Sequence, residues 1–445
     1  MPDDNFLAEM NARHLWHPFG HPGEARDAPP IVVDHAEGVR ITDAAGHTTI
    51  DAVGGLWCVN LGYSCEPIKE AIAAQLARLP YYNAFKGASN GPAIELSVEL
   101  ARWMAPEGMA RAVLTSGGSD SVDTALKLAR QHHKLRGEAG RTKFVAFRKG
   151  YHGTHWGGAA VNGNPLFRAP YEPHLPGVFH IPSPYAYRNP WDEADPERLA
   201  ALCLRMLEEE ILFQDPSTVA AVIVEPVQGA GGVIVPPPSF LRGVRAICDR
   251  HGVLLIADEV ITGFGRAGHV TGARRSEVKP DLMTFAKAMT SGYFPMGACM
   301  MSEAVAEVFE GSAEGMIPTG YTYSGHPVGC AAALACLAET ERLAVWETAA
   351  ALGPRLLAGL EGLRAHEAVG DVRGVGLMAA IEIVSDRDAR TADAAMAGRI
   401  YEATRRAGAT VRWSGANLVV SPPLTVTGAE VDAIVAALDE GLVTA

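Results

Sequence analysis

Basic residues are in short supply in this chain: 38 Lys and Arg stand against 51 Asp and Glu, a formal net charge of −13. General nucleic-acid binding rests on a basic surface, so it is not expected here. The acidity serves solubility instead. Long apolar runs are missing too, and no uninterrupted stretch reaches the roughly 20 residues of a membrane span. The start, Met1-Pro2-Asp3-Asp4-Asn5, is acidic and leads into no such run, so it does not read as a secretory signal. Cysteines are few and scattered. Cys58, Cys65, Cys203, Cys248, Cys299, Cys330 and Cys336 make an odd set without a CxxC pair. That pattern argues against a disulfide framework or a zinc site, so no metal is expected, and it favours a reducing compartment. There is no internal repeat and no low-complexity tail. These absences leave a cytoplasmic enzyme or binding protein, with no membrane or nucleic-acid partner.

What is present suggests more than one packed core. The 445 residues allow about two or three domains. Several continuous apolar segments read as buried strands that run into loops. Arg111–Thr115 leads into Ser116-Gly117-Gly118-Ser119, and Lys143–Phe147 into Arg148-Lys149-Gly150-Tyr151-His152-Gly153. Val219–Val224 ends at Glu225-Pro226, and Gly252–Ala257 at Asp258-Glu259. Helical stretches such as Ser121–Leu135 lie between them, with apolar residues recurring at three and four. Such alternation predicts an α/β domain with a mostly parallel sheet, whose ligands bind at the carboxyl ends of the strands. The first 60 residues are rich in Pro, Gly and His, and the chain turns Ala-rich and helical after about residue 325. A short strand returns at Leu418–Val420. We therefore expect a large domain over 61–324 and a smaller one assembled from 1–60 and 325–445.

The residues at these strand ends suit one kind of chemistry. Leu282-Met283-Thr284-Phe285-Ala286 delivers Lys287, followed by Thr290-Ser291-Gly292. Burial disfavours a charged ammonium, and the neutral amine can form an imine with an aldehyde. Taken alone, Lys287 also reads as a lysine snorkelling at a strand end. Asp258 closes an apolar strand, where an unpaired carboxylate is costly. A protonated pyridine nitrogen would satisfy it and let the ring accept electrons; capping a helix or pairing with an arginine would satisfy it too. The small residues Ser116–Ser121 between strand and helix form an anion cup in outline, as plain turns also do. Tyr151 offers an aromatic face at another strand end. Val260 could press on the opposite face of a planar ring, or sit in the core.

Together these residues resemble the class III aminotransferases, a branch of the fold-type I pyridoxal-phosphate enzymes. Asp258-Glu259-Val260-Ile261-Thr262-Gly263-Phe264-Gly265-Arg266 is close to that family's signature, and Lys287 follows 287 − 258 = 29 positions later. Glu225-Pro226-Val227-Gln228-Gly229 and Tyr321-Thr322-Tyr323-Ser324-Gly325-His326-Pro327 are similar to it as well. The resemblance runs from about Trp16 to Pro423. It implies that Lys287 carries pyridoxal 5′-phosphate as a Schiff base and moves the proton, making Lys287 and Asp258 the catalytic pair. Asp258 would hold the ring nitrogen with support from Glu225. Gly117, Gly118 and Ser119 would serve the phosphate, Tyr151 and Val260 would sandwich the ring, and His152 would join the cofactor shell. Thr322 would reach the phosphate of the partner subunit, so a homodimer or dimer of dimers with shared sites is expected.

Within the family, Gly55-Leu56-Trp57-Cys58-Val59-Asn60-Leu61-Gly62-Tyr63 and His17-Pro18-Phe19 resemble the ω-amino acid and amine:pyruvate transaminases. By that match Arg412 would grip the acceptor's carboxylate, and Phe19, Trp57 and Phe85 would line the substrate pocket. Some positions depart from the family. The phosphate loop usually reads Asn-Ser-Gly-Ser, so at Gly117 backbone N–H groups must replace a side chain. Ala288 stands where glycine is usual. The ornithine and γ-aminobutyrate branches carry Gln at the position of Ile261 and Glu at that of Ala230, which argues against both substrates here. The implied reaction is ping-pong transfer from an amine donor such as β-alanine or taurine to pyruvate. The stretches Tyr151–Gly158 and Tyr187–Pro190 are somewhat similar to taurine–pyruvate enzymes. The rivals are a diaminopelargonate-type aminotransferase of biotin synthesis, a mutase or racemase on the same fold, and a silent relative that only binds.

Overall fold

The computed structural model describes residues 4–24 and 30–445. Residues 1–3 of the acidic start lie outside them. Sixteen strands are present among the described residues. In chain order they are β1 Val33–Glu37, β2 Arg40–Asp43, β3 Thr48–Asp51, β4 Met109–Thr115, β5 Lys143–Phe147, β6 Val178–Ile181, β7 Val219–Val224 and β8 Leu254–Asp258. They continue with β9 Leu282–Phe285, β10 Gly297–Ser302, β11 Val369–Val375, β12 Met378–Asp386, β13 Thr391–Ala392, β14 Ala409–Thr410, β15 Arg412–Ser414 and β16 Asn417–Val420.

Seven of them form the central sheet, in the order β4-β10-β9-β8-β7-β5-β6. Pairings β5–β6, β5–β7, β7–β8 and β8–β9 are parallel, whereas β10 is antiparallel to both β4 and β9. Only β10 runs against the rest, so β4, β5, β7, β8 and β9 all present their carboxyl ends at one edge. Every residue of β7 and β8 is buried, as expected of a parallel sheet covered on both faces. Helices Gly118–Leu135, Pro196–Phe213 and Pro238–His251 supply much of that cover. The α/β class read from the sequence is borne out.

Two smaller sheets complete the fold. The order β11-β12-β16-β15, with β13 on β12, makes an antiparallel sheet near the C-terminus. The order β1-β2-β3-β14 joins the chain ends, because β14 lies parallel to β3 with Ala409 opposite Ile50. Their shared core mixes residues from both ends, among them Ile50, Leu61, Ile68, Leu356, Ile381, Val420 and Leu438. The long helices Pro327–Leu343 and Val345–Gly362 pack into it. No described helix is long and apolar enough to cross a membrane.

Candidate active site

A cavity of ≈ 150 Å³ opens at the carboxyl edge of the central sheet. Eight residues expected at the site line it: Gly118, Ser119, Tyr151, His152, Glu225, Asp258, Val260 and Lys287. They arrive from five different strand ends, which only the parallel arrangement brings together. A larger groove of ≈ 600 Å³ between the helices 66–78, 91–103 and 327–343 mixes alanines with Gln75, Arg78, Tyr82, Asn90 and Glu95, and holds no comparable chemical set.

Asp258 sits at the last position of β8 and is 4% exposed. Thr284, its register partner on β9, donates its hydroxyl to Oδ1 at 3.0 Å, and the Val260 N–H adds a bond at 3.1 Å. His152 Nδ1 lies 2.7 Å from Oδ2, and both groups are buried. The His152 ring therefore braces the carboxylate. Its backbone N–H donates to Asn162 Oδ1 at 2.5 Å, and Asn162 Nδ2 donates to the Gly153 carbonyl at 2.9 Å. Beside Asp258, Glu225 accepts from the N–H groups of Tyr151, at 2.9 Å, and Gly229, at 3.0 Å. Burial, reinforced by the Asp258 charge, pushes the Glu225 carboxyl up to about 7. Glu259 is also buried, but it turns away. It accepts from Gly272 N at 2.9 Å, Ala273 N at 2.7 Å and the Thr262 hydroxyl, capping the short helix Gly272–Arg275.

Lys287 opens a single tight helical turn, Lys287–Thr290, just past β9. Its φ of 46° lies in the left-handed region that a side chain enters at a cost of about 1–2 kcal/mol. Burial pulls its ammonium below the ordinary lysine value, and Arg412 pulls the same way against the opposing Asp258 and Glu225. Such an amine is readily neutral, as a nucleophile requires.

The anion cup is already helical. The sequence places Ser116–Ser121 between strand and helix, but the helix starts at Gly118. Gly117, in extended backbone, stands at its N-cap without a side-chain cap, so the first N–H groups are left for an anion. A Cβ at Gly118 would come within 3.0 Å of Val260. Ser121 ties the cup to the lysine strand, donating to the carbonyls of Gly117 and Phe285 at 3.0 Å each.

The remaining expected residues lie farther out. Arg412, on β15, makes no ion pair with a described carboxylate; burial lowers its pKa, and the Tyr151 phenol is the group that opposes this. Trp57 is 2% exposed and packed among Val227, Ile261 and Val419, so it sits behind the cavity wall rather than in it. Phe19 is exposed, but its ring meets Phe167 edge-on at 5.4 Å, and Phe167 meets Tyr151 at 4.9 Å. Thr322 and Phe85 do not line the cavity of their own chain. Both are exposed, and Phe85 borders a separate groove of ≈ 350 Å³ with Gly320 and Ser324. Sequence reasoning missed Thr284, Asn162 and Phe167. Thr284 was within reach, since it belongs to the strand that delivers Lys287; nothing local marks the other two. No described cluster of His, Cys, Asp and Glu could hold a metal ion.

A buried amine, a braced carboxylate, an aromatic face and an uncapped helix N-terminus around one cavity match an aromatic aldehyde that bears a ring nitrogen and a phosphate. Residues 23–442 match the family model for class-III aminotransferases. The chain is a class III aminotransferase. Enzymes of this family depend on pyridoxal phosphate, and the donor set fits that cofactor. The aminotransferase is similar to an amine transaminase from an uncultivated Pseudomonas species, solved in its pyridoxal-phosphate-bound form. The two share 45% identity over 97% of this chain and 98% of the other, with a TM-score of 0.95. It is 36% identical to the adenosylmethionine-8-amino-7-oxononanoate aminotransferase of Geobacter sulfurreducens, over 99% of this chain and 98% of that protein. It is 35% identical to the putrescine–pyruvate aminotransferase of Pseudomonas aeruginosa, over 96% of this chain and 93% of that protein.

Proposed function

We propose that this aminotransferase moves an amino group from an ω-amino acid or primary amine, such as β-alanine or taurine, to pyruvate, giving alanine by a ping-pong route. The observation that carries this reading is Arg412, a partly buried guanidinium beside Tyr151 that no described carboxylate neutralises. A guanidinium forks onto a carboxylate with two hydrogen bonds, and pyruvate offers one next to its reacting carbon. Ala230 and Ile261, where related branches carry Glu and Gln, offer no polar side chain, which suits a donor lacking a carboxylate there. The putrescine–pyruvate relative supports the acceptor, and the amine transaminase supports the donor class.

Lys287 would hold the cofactor through its amine, Asp258 the ring nitrogen, and Gly117, Gly118 and Ser119 the phosphate, with Tyr151 and Val260 on the two ring faces. Bound pyridoxal phosphate supplies an aldehyde carbon and a cationic ring that takes up the electron pair released at the substrate carbon. Lys287, once free, removes the proton from that carbon and returns it one atom away. Burial lowers its pKa from the ordinary lysine value, which favours the neutral amine that acts as the base. Thr284, the Val260 N–H and His152 hold the Asp258 carboxylate in place, so it would face and pair with the ring nitrogen. Thr322 and Phe85, remote from their own cavity, would complete the site of a second copy in a homodimer. The whole reaction requires no metal ligand and is assigned to a cytoplasmic enzyme.

The Geobacter relative favours one alternative, a biotin-pathway aminotransferase. A panel of amine donors with pyruvate, scored by alanine formed, separates them. We expect alanine from β-alanine, taurine or 1-phenylethylamine, and none from Lys287→Ala. Turnover confined to adenosylmethionine and 8-amino-7-oxononanoate would replace the reading. Racemisation or isomerisation without alanine would point to a mutase or racemase instead.

A further inference from the structure

The turn that carries Thr322 is built to be rigid. Ser324 N donates to the Tyr321 carbonyl at 2.9 Å, Tyr321 N to the Ser324 hydroxyl at 3.0 Å, and Asn90 Nδ2 to the Gly325 carbonyl at 3.0 Å. The Tyr321 hydroxyl reaches the Asp120 carbonyl at 3.3 Å, in the first turn of the cup helix. Thr322 itself is fixed by one bond: its carbonyl accepts from the Tyr81 hydroxyl at 2.7 Å. The Tyr81 ring has its own support, with Tyr323 edge-on at 5.9 Å and His326 tilted at 5.6 Å. The ring thus stays in place through its neighbours, while the hydroxyl does one separate thing, which is to set the height of the Thr322 backbone.

We propose that Tyr81 is a positioning residue for the cofactor phosphate, acting through Thr322 on the site of the second copy. The proposal rests on the reading that Thr322 serves that phosphate. An exposed threonine on a free turn would have to be ordered each time it bound an anion, and that ordering weakens binding. The Tyr81 bond orders it beforehand, so its contribution should be felt only by ligands that carry a phosphate.

The test titrates the apoprotein with pyridoxal phosphate and, separately, with pyridoxal, following absorbance. Tyr81→Phe keeps the ring and deletes the bond. We expect about three- to tenfold weaker binding of pyridoxal phosphate, the usual effect of one neutral hydrogen bond, and unchanged binding of pyridoxal. In a Thr322→Ala background the same substitution should cost nothing further. Equal losses for both ligands, or a loss that adds in full to that of Thr322→Ala, would overturn the proposal and leave Tyr81 a packing residue. Should Thr322→Ala weaken the phosphate ligand while Tyr81→Phe does not, the proposal alone fails. Should Thr322→Ala leave both ligands unaffected, the assignment of Thr322 fails and the proposal with it.

Discussion

Arg412 carries a charge that no described group of its own chain neutralises, and that shapes what its loss should do. A fixed, unpaired, half-buried guanidinium is costly. In the proposed reaction it therefore swings, inward to clamp the pyruvate carboxylate and outward when the donor has none to offer. Deleting a charged hydrogen-bonded pair removes on the order of 1.5–3 kcal/mol, or roughly ten- to a hundredfold in affinity. Arg412→Ala should weaken the pyruvate half-reaction by that factor and leave the half-reaction with 1-phenylethylamine nearly unchanged. Single-turnover spectra of the two cofactor forms measure each half separately. Losses of the same size in both would leave Arg412 a structural residue. Arg266 is a useful contrast. It too lacks an acidic partner, yet it is wholly buried and donates to the carbonyls of Leu377, at 3.0 Å, and Pro422, at 2.5 Å, and to Asn60 at 2.6 Å. It is spent on structure and has no room to move.

At the scale of elements, the loop after β5 is pressed onto the cup helix. Gly153 has φ 91°, and a Cβ there would lie 2.8 Å from the Ser119 Cα and 2.5 Å from its hydroxyl oxygen. The same hydroxyl accepts from Thr154 N at 3.1 Å. One strand end thus sets the position of the cup formed at another. Gly153→Ala must push Ser119 aside or twist the loop, at a cost of about 1–3 kcal/mol. If that strain falls on the bound state, affinity for pyridoxal phosphate drops by roughly tenfold or more. A cofactor titration that matches wild type would show that the loop, not the cup, absorbs the added methyl.

At the scale of the whole molecule, burial lowers the pKa of two histidines, His132 and His180, to about 4, and His132 is the one left without a hydrogen-bond partner. His132, on the helix Gly118–Leu135, is 3% exposed, and neither ring nitrogen has a hydrogen-bond partner. Burial, with neighbouring His133 and Arg136, lowers its pKa from 6.5 to about 4. The folded chain therefore keeps it neutral where the unfolded chain protonates it, and the unfolded state binds the extra proton. Stability should be full above pH 6.5 and fall by on the order of 1–3 kcal/mol as the pH drops from 6.5 towards 4. Urea unfolding at pH 7.5 and pH 5 measures this. The His132→Phe variant should show a flatter pH dependence, and an unchanged slope would mean that other groups dominate the acid response.

By itself the sequence determined the α/β class and the strands β5, β7 and β8, because runs such as Val219–Val224 are too apolar for anything but a fully covered sheet. It also marked the chemistry at their ends, since Lys287, Asp258 and Glu225 each follow such a run directly. Two of the three sheets were not legible beyond the short strand near Leu418–Val420. Strands β1 to β3 are brief and partly exposed, and β14, the partner of β3, lies 359 residues later (409 − 50 = 359), so their hydrophobic pattern carries little local signal. Only tertiary structure decided which expected residues share one cavity. It put Trp57 behind the wall, because three left-handed residues, Gly54, Gly55 and Trp57, turn that ring into the core. It left Thr322 and Phe85 exposed and out of the cavity of their own chain. Residue type states what a side chain can do. Which others it can do it with depends on contacts between segments far apart in the chain, and no local pattern encodes those.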